Sequence, residues 1–240
     1  MPRSIDGGKN GWKLSIKTPT FEVVSKQNNY SFIAIEGNIG AGKSTLASML
    51  AADWKARLIM EEFEDNSFLP KFYEDARRYA FPLEMSFLAA RFNQLKRQLP
   101  EQDLFSELVI SDYIFTKCLL FSKVNLDEDE YELYSKMFNI ILQQLPKPDL
   151  LIYLHAPIER LQWNISNRGR SYEQHIKDEY LENLQKNYFN FLHTSTEQRI
   201  LLIDCSNIDF VKNPEHYHQI KELAGRNYEP GIHHFHILDV

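Results

Sequence analysis

Cysteine, excess positive charge and long apolar runs are what this chain lacks. Its two cysteines, Cys118 and Cys205, stand in apolar, helix- or strand-like surroundings without metal-type spacing. They read as reduced, buried thiols, which excludes a disulfide scaffold or a zinc framework. The formal net charge is −6, so there is no general attraction to nucleic acid or to a membrane surface, and any anion must be met by local basic groups. No stretch approaches the roughly 20 apolar residues of a membrane span, and the N-terminus has no signal-peptide hydrophobic region. Internal repeats and low-complexity segments are missing too. What remains, at 43% hydrophobic and 25% charged residues, is the balance of a cytoplasmic globular protein. Its length of 240 residues suits one α/β domain with a large core.

Residues 1–29 are polar and rich in turn signals such as Asp6-Gly7-Gly8 and Lys9-Asn10-Gly11, and read as an extension or linker outside the core. From Ser31 the pattern becomes short apolar runs alternating with amphipathic stretches. Strands are expected at Phe32–Glu36, Arg57–Met60, Leu108–Ser111, Leu150–Leu154 and Ile200–Ile203. Helices are expected at Lys43–Lys55, Phe81–Leu99, Glu128–Leu145, Ile158–Asn167, Lys177–His193 and Phe210–Leu223. This alternation predicts an α/β fold, a five-stranded, mostly parallel sheet with helices on both faces, over residues 30–224. The stretch from Gly225 to Val240 reads as a loop-like tail. Its His233, His234 and His236 have no carboxylate or cysteine spaced to complete a metal site.

The strongest local signal is Gly37-Asn38-Ile39-Gly40-Ala41-Gly42-Lys43-Ser44, followed by Thr45, between a buried-strand run and an amphipathic helix. That is the context a phosphate-binding loop needs. Glycines let successive backbone N–H groups wrap phosphate oxygens, and the helix adds its positive N-terminal end. Lys43 is expected to neutralise the β and γ phosphates of ATP, and Ser44 to ligate Mg²⁺. Asp112, ending the third strand, holds the Walker-B-like position for the same ion. The motif specifies a triphosphate and is silent about the acceptor.

The chain resembles the deoxynucleoside kinase family over about residues 31–212, most closely its bacterial deoxyguanosine and deoxyadenosine kinase branch. The resemblance rests on Ile35 to Ser44, Glu61 to Leu69, the Tyr73-to-Arg91 segment, Ser111-Asp112-Tyr113 and Arg168 to Glu173, in that order along the chain. It implies a P-loop kinase fold and a small deoxynucleoside as the phosphoryl acceptor. Glu61 at the end of the second strand is then the base that accepts the 5′-hydroxyl proton. Arg168 and Arg170 belong to a lid that stabilises the transferring group. Asp209-Phe210 matches the loop that holds the donor's adenine, although Asp209 reads equally well as the N-cap of the last helix. Tyr73 and Glu173 bind the sugar 3′-hydroxyl, and Glu84 and Arg91 grip the base edge. Relatives are homodimers joined through long helices, which makes Phe81–Leu99 and Glu128–Leu145 candidate interface elements. Two positions depart from the family's pattern: Tyr113 and Asn164 stand where relatives often carry arginine. What steadies Glu61 in place of the first of these is left open.

Glu84 carries the base preference, because many relatives have glutamine there. An ionised carboxylate offers acceptors only, matching the adjacent N1–H and N2 amino donors of guanine, whereas adenine would present its N1 lone pair. Arg91, seven residues on and sharing a helix face, could serve guanine's acceptors O6 and N7. The sequence therefore favours deoxyguanosine, with deoxyadenosine or broad deoxynucleoside acceptance on the same scaffold as the nearest alternative. A nucleoside monophosphate kinase would need a further basic cluster for its acceptor phosphate, and a regulatory module without turnover would not need Glu61, Asp112 and paired lid arginines.

Overall fold

The computed structural model describes residues 30–62, 66–99 and 108–237. The expected extension at 1–29, the Phe63-Glu64-Asp65 part of one motif and the last residues of the tail lie outside the described residues. Six strands form one sheet in the order β2-β3-β1-β4-β5-β6, with every neighbouring pair parallel. They are β1 (Phe32–Gly37), β2 (Arg57–Ile59), β3 (Val109–Ser111), β4 (Leu150–His155), β5 (Arg199–Asp204) and β6 (Gly231–His236). The helices are α1 (Lys43–Trp54), α2 (Phe68–Glu74), α3 (Ala76–Gln98), α4 (Lys117–Asn125), α5 (Glu128–Leu142), α6 (Ile158–Arg168), α7 (Asp178–Thr194) and α8 (Pro214–Ala224).

Each strand alternates its side chains between two apolar layers. Ile33, Ile35, Ile152, Leu154, Leu201 and Ile203 pack against α1, α6 and α8, through residues such as Leu46, Leu50, Leu161 and Ile220. Ala34, Leu151, Tyr153, Ile200 and Leu202 face α3, α4, α5 and α7, through Leu88, Cys118, Phe138 and Tyr188. Burial on both faces explains why the inner strands read as unbroken apolar runs. The order reverses at β1, which lies between β3 and β4, and open α/β sheets bind ligands in the crevice at such a reversal.

The sixth strand corrects the expectation of five. The stretch after Gly225 does not remain a loop: Gly231–His236 pairs in register with Arg199–Asp204. The sequence GIHHFH carries little strand signal of its own. The strand is held by pairing and by anchors, the Tyr228 carbonyl accepting from Arg199 Nε at 2.8 Å and the Tyr228 N–H donating to the Tyr30 hydroxyl at 3.0 Å. The last helix also starts later than expected. Asn213, not Asp209, is its N-cap, its side chain accepting from the Glu215 N–H, with Pro214 opening the helix. Asp209 instead closes a turn by accepting from Val211 and Lys212. Helices α2 and α4 were not anticipated, and α3 begins five residues before the expected Phe81, capped by Asp75 accepting from the Arg78 N–H at 3.3 Å.

Candidate active site

The phosphate loop leaves β1 at Gly37 and enters α1 at Lys43. Gly40 has φ 82° and Gly42 φ 90°, a left-handed backbone that glycine adopts without cost. Close packing also excludes side chains there: a Cβ on Gly40 would lie 2.7 Å from the Leu161 carbonyl oxygen, and one on Gly42 3.0 Å from the Phe210 ring. Lys43 Nζ donates back to the carbonyls of Gly37 and Asn38 at the start of the loop, at 3.0 and 2.9 Å. Burial, with the nearby Lys117 charge, pulls the Lys43 ammonium down to about 8, so an arriving phosphate stabilises a charge the interior disfavours. Asn164 does not stand in for a lid arginine; its Nδ2 donates to the Gly40 carbonyl at 2.7 Å and braces the loop.

A cavity of about 570 Å³ opens along this loop. It is lined by Gly40 to Thr45, by Asn164, Arg168 and Arg170 from the lid side, and by Asp209 and Phe210 from the loop before α8. The sequence did not single out Arg160 and Trp163, which also line it, with the Arg160 guanidinium 4.9 Å from the Trp163 ring. This is the roomier of the two pockets that meet at Lys43 and Ser44, and it suits a nucleoside triphosphate.

The second cavity measures about 100 Å³. Ile39, Lys43, Ser44, Glu61, Tyr73, Glu84, Arg91, Asp112, Arg168, Arg170 and Glu173 all line it, so the structure assembles the whole expected acceptor set around one space. Asp112 ties the sites together: its Oδ2 accepts from Ser44 Oγ at 2.5 Å and its Oδ1 from the Glu61 N–H at 2.7 Å. The Ser44–Asp112 pair is a set of hard oxygen donors that fits Mg²⁺. No group of three or more His, Cys, Asp or Glu among the described residues could hold a metal.

What steadies Glu61 is Lys117 together with Arg91. Arg91 donates through Nε and Nη2 to Glu61 Oε1 at 2.8 and 2.6 Å, and Lys117 Nζ donates to Oε2 at 2.5 Å. Burial alone would raise the Glu61 carboxyl, but these two cations hold it well below the usual carboxylate range. Tyr113 is not the substitute for the family's arginine. Its hydroxyl donates to Gln94 Oε1 at 2.6 Å, and Gln94 in turn donates to the Met60 carbonyl, fixing the strand end before Glu61. Lys117 lies on α4, a helix that the sequence pattern does not set apart. Yet Lys117, Phe121 and Asn125 recur every four residues on one face of α4, and all three line the cavity.

Arg91 is placed differently from expectation. Its guanidinium turns to Glu61 and, through Nη1, to Cys118 Sγ at 3.2 Å, and lies over the Phe87 ring. Glu84 is 1% exposed. Its Oε1 accepts from Asn125 Nδ2 at 2.6 Å, while its Oε2 is buried without a partner. Burial pushes this carboxyl up to about 7, only partly offset by Arg91 and the Asn125 amide. Tyr73, at the end of α2, stacks on Tyr172 with ring centroids 6.0 Å apart. Glu173, in the 3-10 turn Ser171–Glu173, accepts from both lid arginines, Arg168 and Arg170.

A family model described as deoxynucleoside kinase matches residues 33–227. The chain belongs to the deoxynucleoside kinase family. It is 36% identical to the deoxyguanosine kinase of Bacillus subtilis over 197 residues, covering 80% of this chain and 95% of that one. It is 32% identical to the deoxyadenosine kinase of Lactobacillus acidophilus, covering 75% and 88%. Among solved structures, the deoxyadenosine kinase of M. mycoides with the products dCMP and dCDP aligns at a TM-score of 0.69 and 28% identity, covering 80% of this chain and 95% of that one. The chain is thus an enzyme, a phosphotransferase whose acceptor is a deoxynucleoside, and no helix among the described residues is long and apolar enough to cross a membrane.

Proposed function

We propose that this kinase phosphorylates the 5′-hydroxyl of purine deoxynucleosides, with deoxyguanosine preferred, using ATP with Mg²⁺. The observation that carries the base preference is the uncommitted Oε2 of buried Glu84 in the acceptor cavity. A carboxylate oxygen there is complementary to guanine's donors and opposed to the N1 lone pair of adenine. Arg91 keeps N–H groups beyond those it gives to Glu61 and Cys118, and these can meet guanine's O6.

Glu61 accepts the 5′-hydroxyl proton, held in line by Arg91 and Lys117. Tyr73 and Glu173 engage the 3′-hydroxyl. Lys43, with Arg168 and Arg170, balances charge on the transferring group, Ser44 and Asp112 hold the Mg²⁺, and Asp209-Phe210 borders the adenine of the donor. The two lid arginines rest on Glu173, so a 3′-hydroxyl competing for that carboxylate would release them toward the donor. Leu133 and Ile140 on α5 are 52% and 68% exposed and seven residues apart on one face. They support a homodimer through α5, which Leu133→Glu would dissociate in sedimentation analysis.

Measuring kcat/KM for the four deoxynucleosides tests the reading, and deoxyguanosine should lead. A pyrimidine preference would sink it. A broad purine preference is the second reading. It is favoured by the raised Glu84 carboxyl, because the protonated acid offers one donor and one acceptor, as glutamine does.

A further inference from the structure

Helix α4 places Lys117 at one end of the acceptor cavity, on Glu61, and Asn125 at the other, on Glu84. The charged groups around Glu84 are otherwise engaged. Arg91, from the same helix α3, and Lys117, from α4, both direct their donors to Glu61, which follows β2. Arg91 also donates to Cys118. Tyr134 of α5 reaches the Glu84 backbone carbonyl at 3.4 Å rather than its side chain, and Tyr180 of α7 lies beside the Asn125 amide. The neutral amide of Asn125 is thus the donor that meets the Glu84 side chain directly, at 2.6 Å.

We propose that Asn125 is a specificity-determining residue, its amide taking Oε1 of Glu84 so that Oε2 alone is presented to the base. This rests on the assignment of Glu84 as the base-reading residue above. Two consequences follow from the geometry. First, the carboxylate is fixed in rotation, because an oxygen bonded at 2.6 Å cannot swing toward the ligand without leaving a buried donor unpaired. Second, a donor on Oε1 favours the ionised carboxylate, the form that rejects the lone pair of adenine N1. Without that donor the carboxyl takes a proton more readily, and the acid form accommodates adenine as a glutamine would. Asn125 therefore determines both the direction and the protonation of the group that reads the base.

The test compares kcat/KM for deoxyguanosine and deoxyadenosine from pH 5.5 to 9 in the wild type, Asn125→Ala and the isosteric Asn125→Asp, with thermal unfolding as a check of folding. In the wild type the deoxyguanosine-to-deoxyadenosine ratio should rise with pH as Glu84 loses its proton. Asn125→Ala should lower the ratio at pH 7.5 by about tenfold, the scale of one hydrogen bond to a charged group, and move the rise to higher pH. Asn125→Asp, which places a second carboxylate beside the first, should do so more strongly. A purely structural role would slow both substrates together and leave the ratio and its pH profile unmoved, and that outcome overturns the proposal. A wild type that prefers deoxyadenosine throughout would instead overturn the deoxyguanosine reading, and Asn125 would still stand if its variants shift the ratio.

Discussion

Replacing Lys117 with methionine removes one of the two cations on Glu61, the proposed base, while keeping the apolar stem that packs in α4. In the structure, Glu61 Oε2 accepts from Lys117 Nζ at 2.5 Å, and the two side chains are 10% and 8% exposed. With so little exposure, water replaces the lost donor poorly. Arg91 still holds Oε1 through two N–H groups, so Glu61 keeps one anchor and loses alignment rather than its place. A hydrogen bond to a charged group contributes about 1.5–3 kcal/mol, so kcat should fall by roughly 10- to 150-fold. Removing the proposed base with Glu61→Gln should cost about 10²- to 10⁴-fold. The decisive assay is a double-mutant cycle read in kcat. If Lys117 acts through Glu61, adding Lys117→Met to Glu61→Gln should cost little further activity. Lys117→Arg should recover part of the rate, because it restores the charge but not the compact geometry of an ammonium. Full additivity of the two losses, or a Lys117→Met enzyme within threefold of wild type in kcat, would refute the reasoning.

The remaining predictions concern stability, the donor site and the lid. Glu84 is raised in the fold from 4.5 to about 7, so its ionisation destabilises the protein as pH rises through that window, by roughly 3 kcal/mol once it is complete. Glu84→Gln should remove this dependence, raise Tm at pH 8.5 more than at pH 5, and weaken deoxyguanosine relative to deoxyadenosine; an equal change in Tm at both pH values would count against the assignment. Gly42→Ala puts a methyl group 3.0 Å from the Phe210 ring at φ 90°, so KM for ATP should rise about tenfold or more while KM for the nucleoside holds, as steady-state kinetics would show. Arg168→Ala and Arg170→Ala each remove an arginine that rests on Glu173. They should lower kcat by about 10³-fold if they act on the transferring group, whereas a change confined to KM would place them in ground-state binding alone.

Local pattern was enough to recover the parallel sheet's five inner and edge strands and the phosphate loop. Each depends on short-range rules: apolar runs for buried strands, and glycines where the backbone must turn left-handed against phosphate. Whereas Glu61 was singled out only through the family resemblance, Lys43 and Ser44 were legible from the loop motif and Asp112 from its place at a strand end. Strand β6 was not, because GIHHFH becomes a strand only by pairing with Arg199–Asp204, a contact far away in sequence. Nor were the partners of the key carboxylates. Arg91 appeared on a helix face with Glu84, but which acid it would meet depends on where α3 crosses the end of β2.

By itself, then, the sequence determined the triphosphate loop and, through the family resemblance, the candidates for base, metal-holding acid and two-arginine lid. Only the tertiary structure decided how the charges are shared. It placed α4 so that Lys117 falls on Glu61 and Asn125 on Glu84, leaving the second Glu84 oxygen buried without a partner. Spacing along a chain can put side chains on a common face. Which buried donor satisfies which buried acceptor is settled only when separate elements pack together and water is excluded between them.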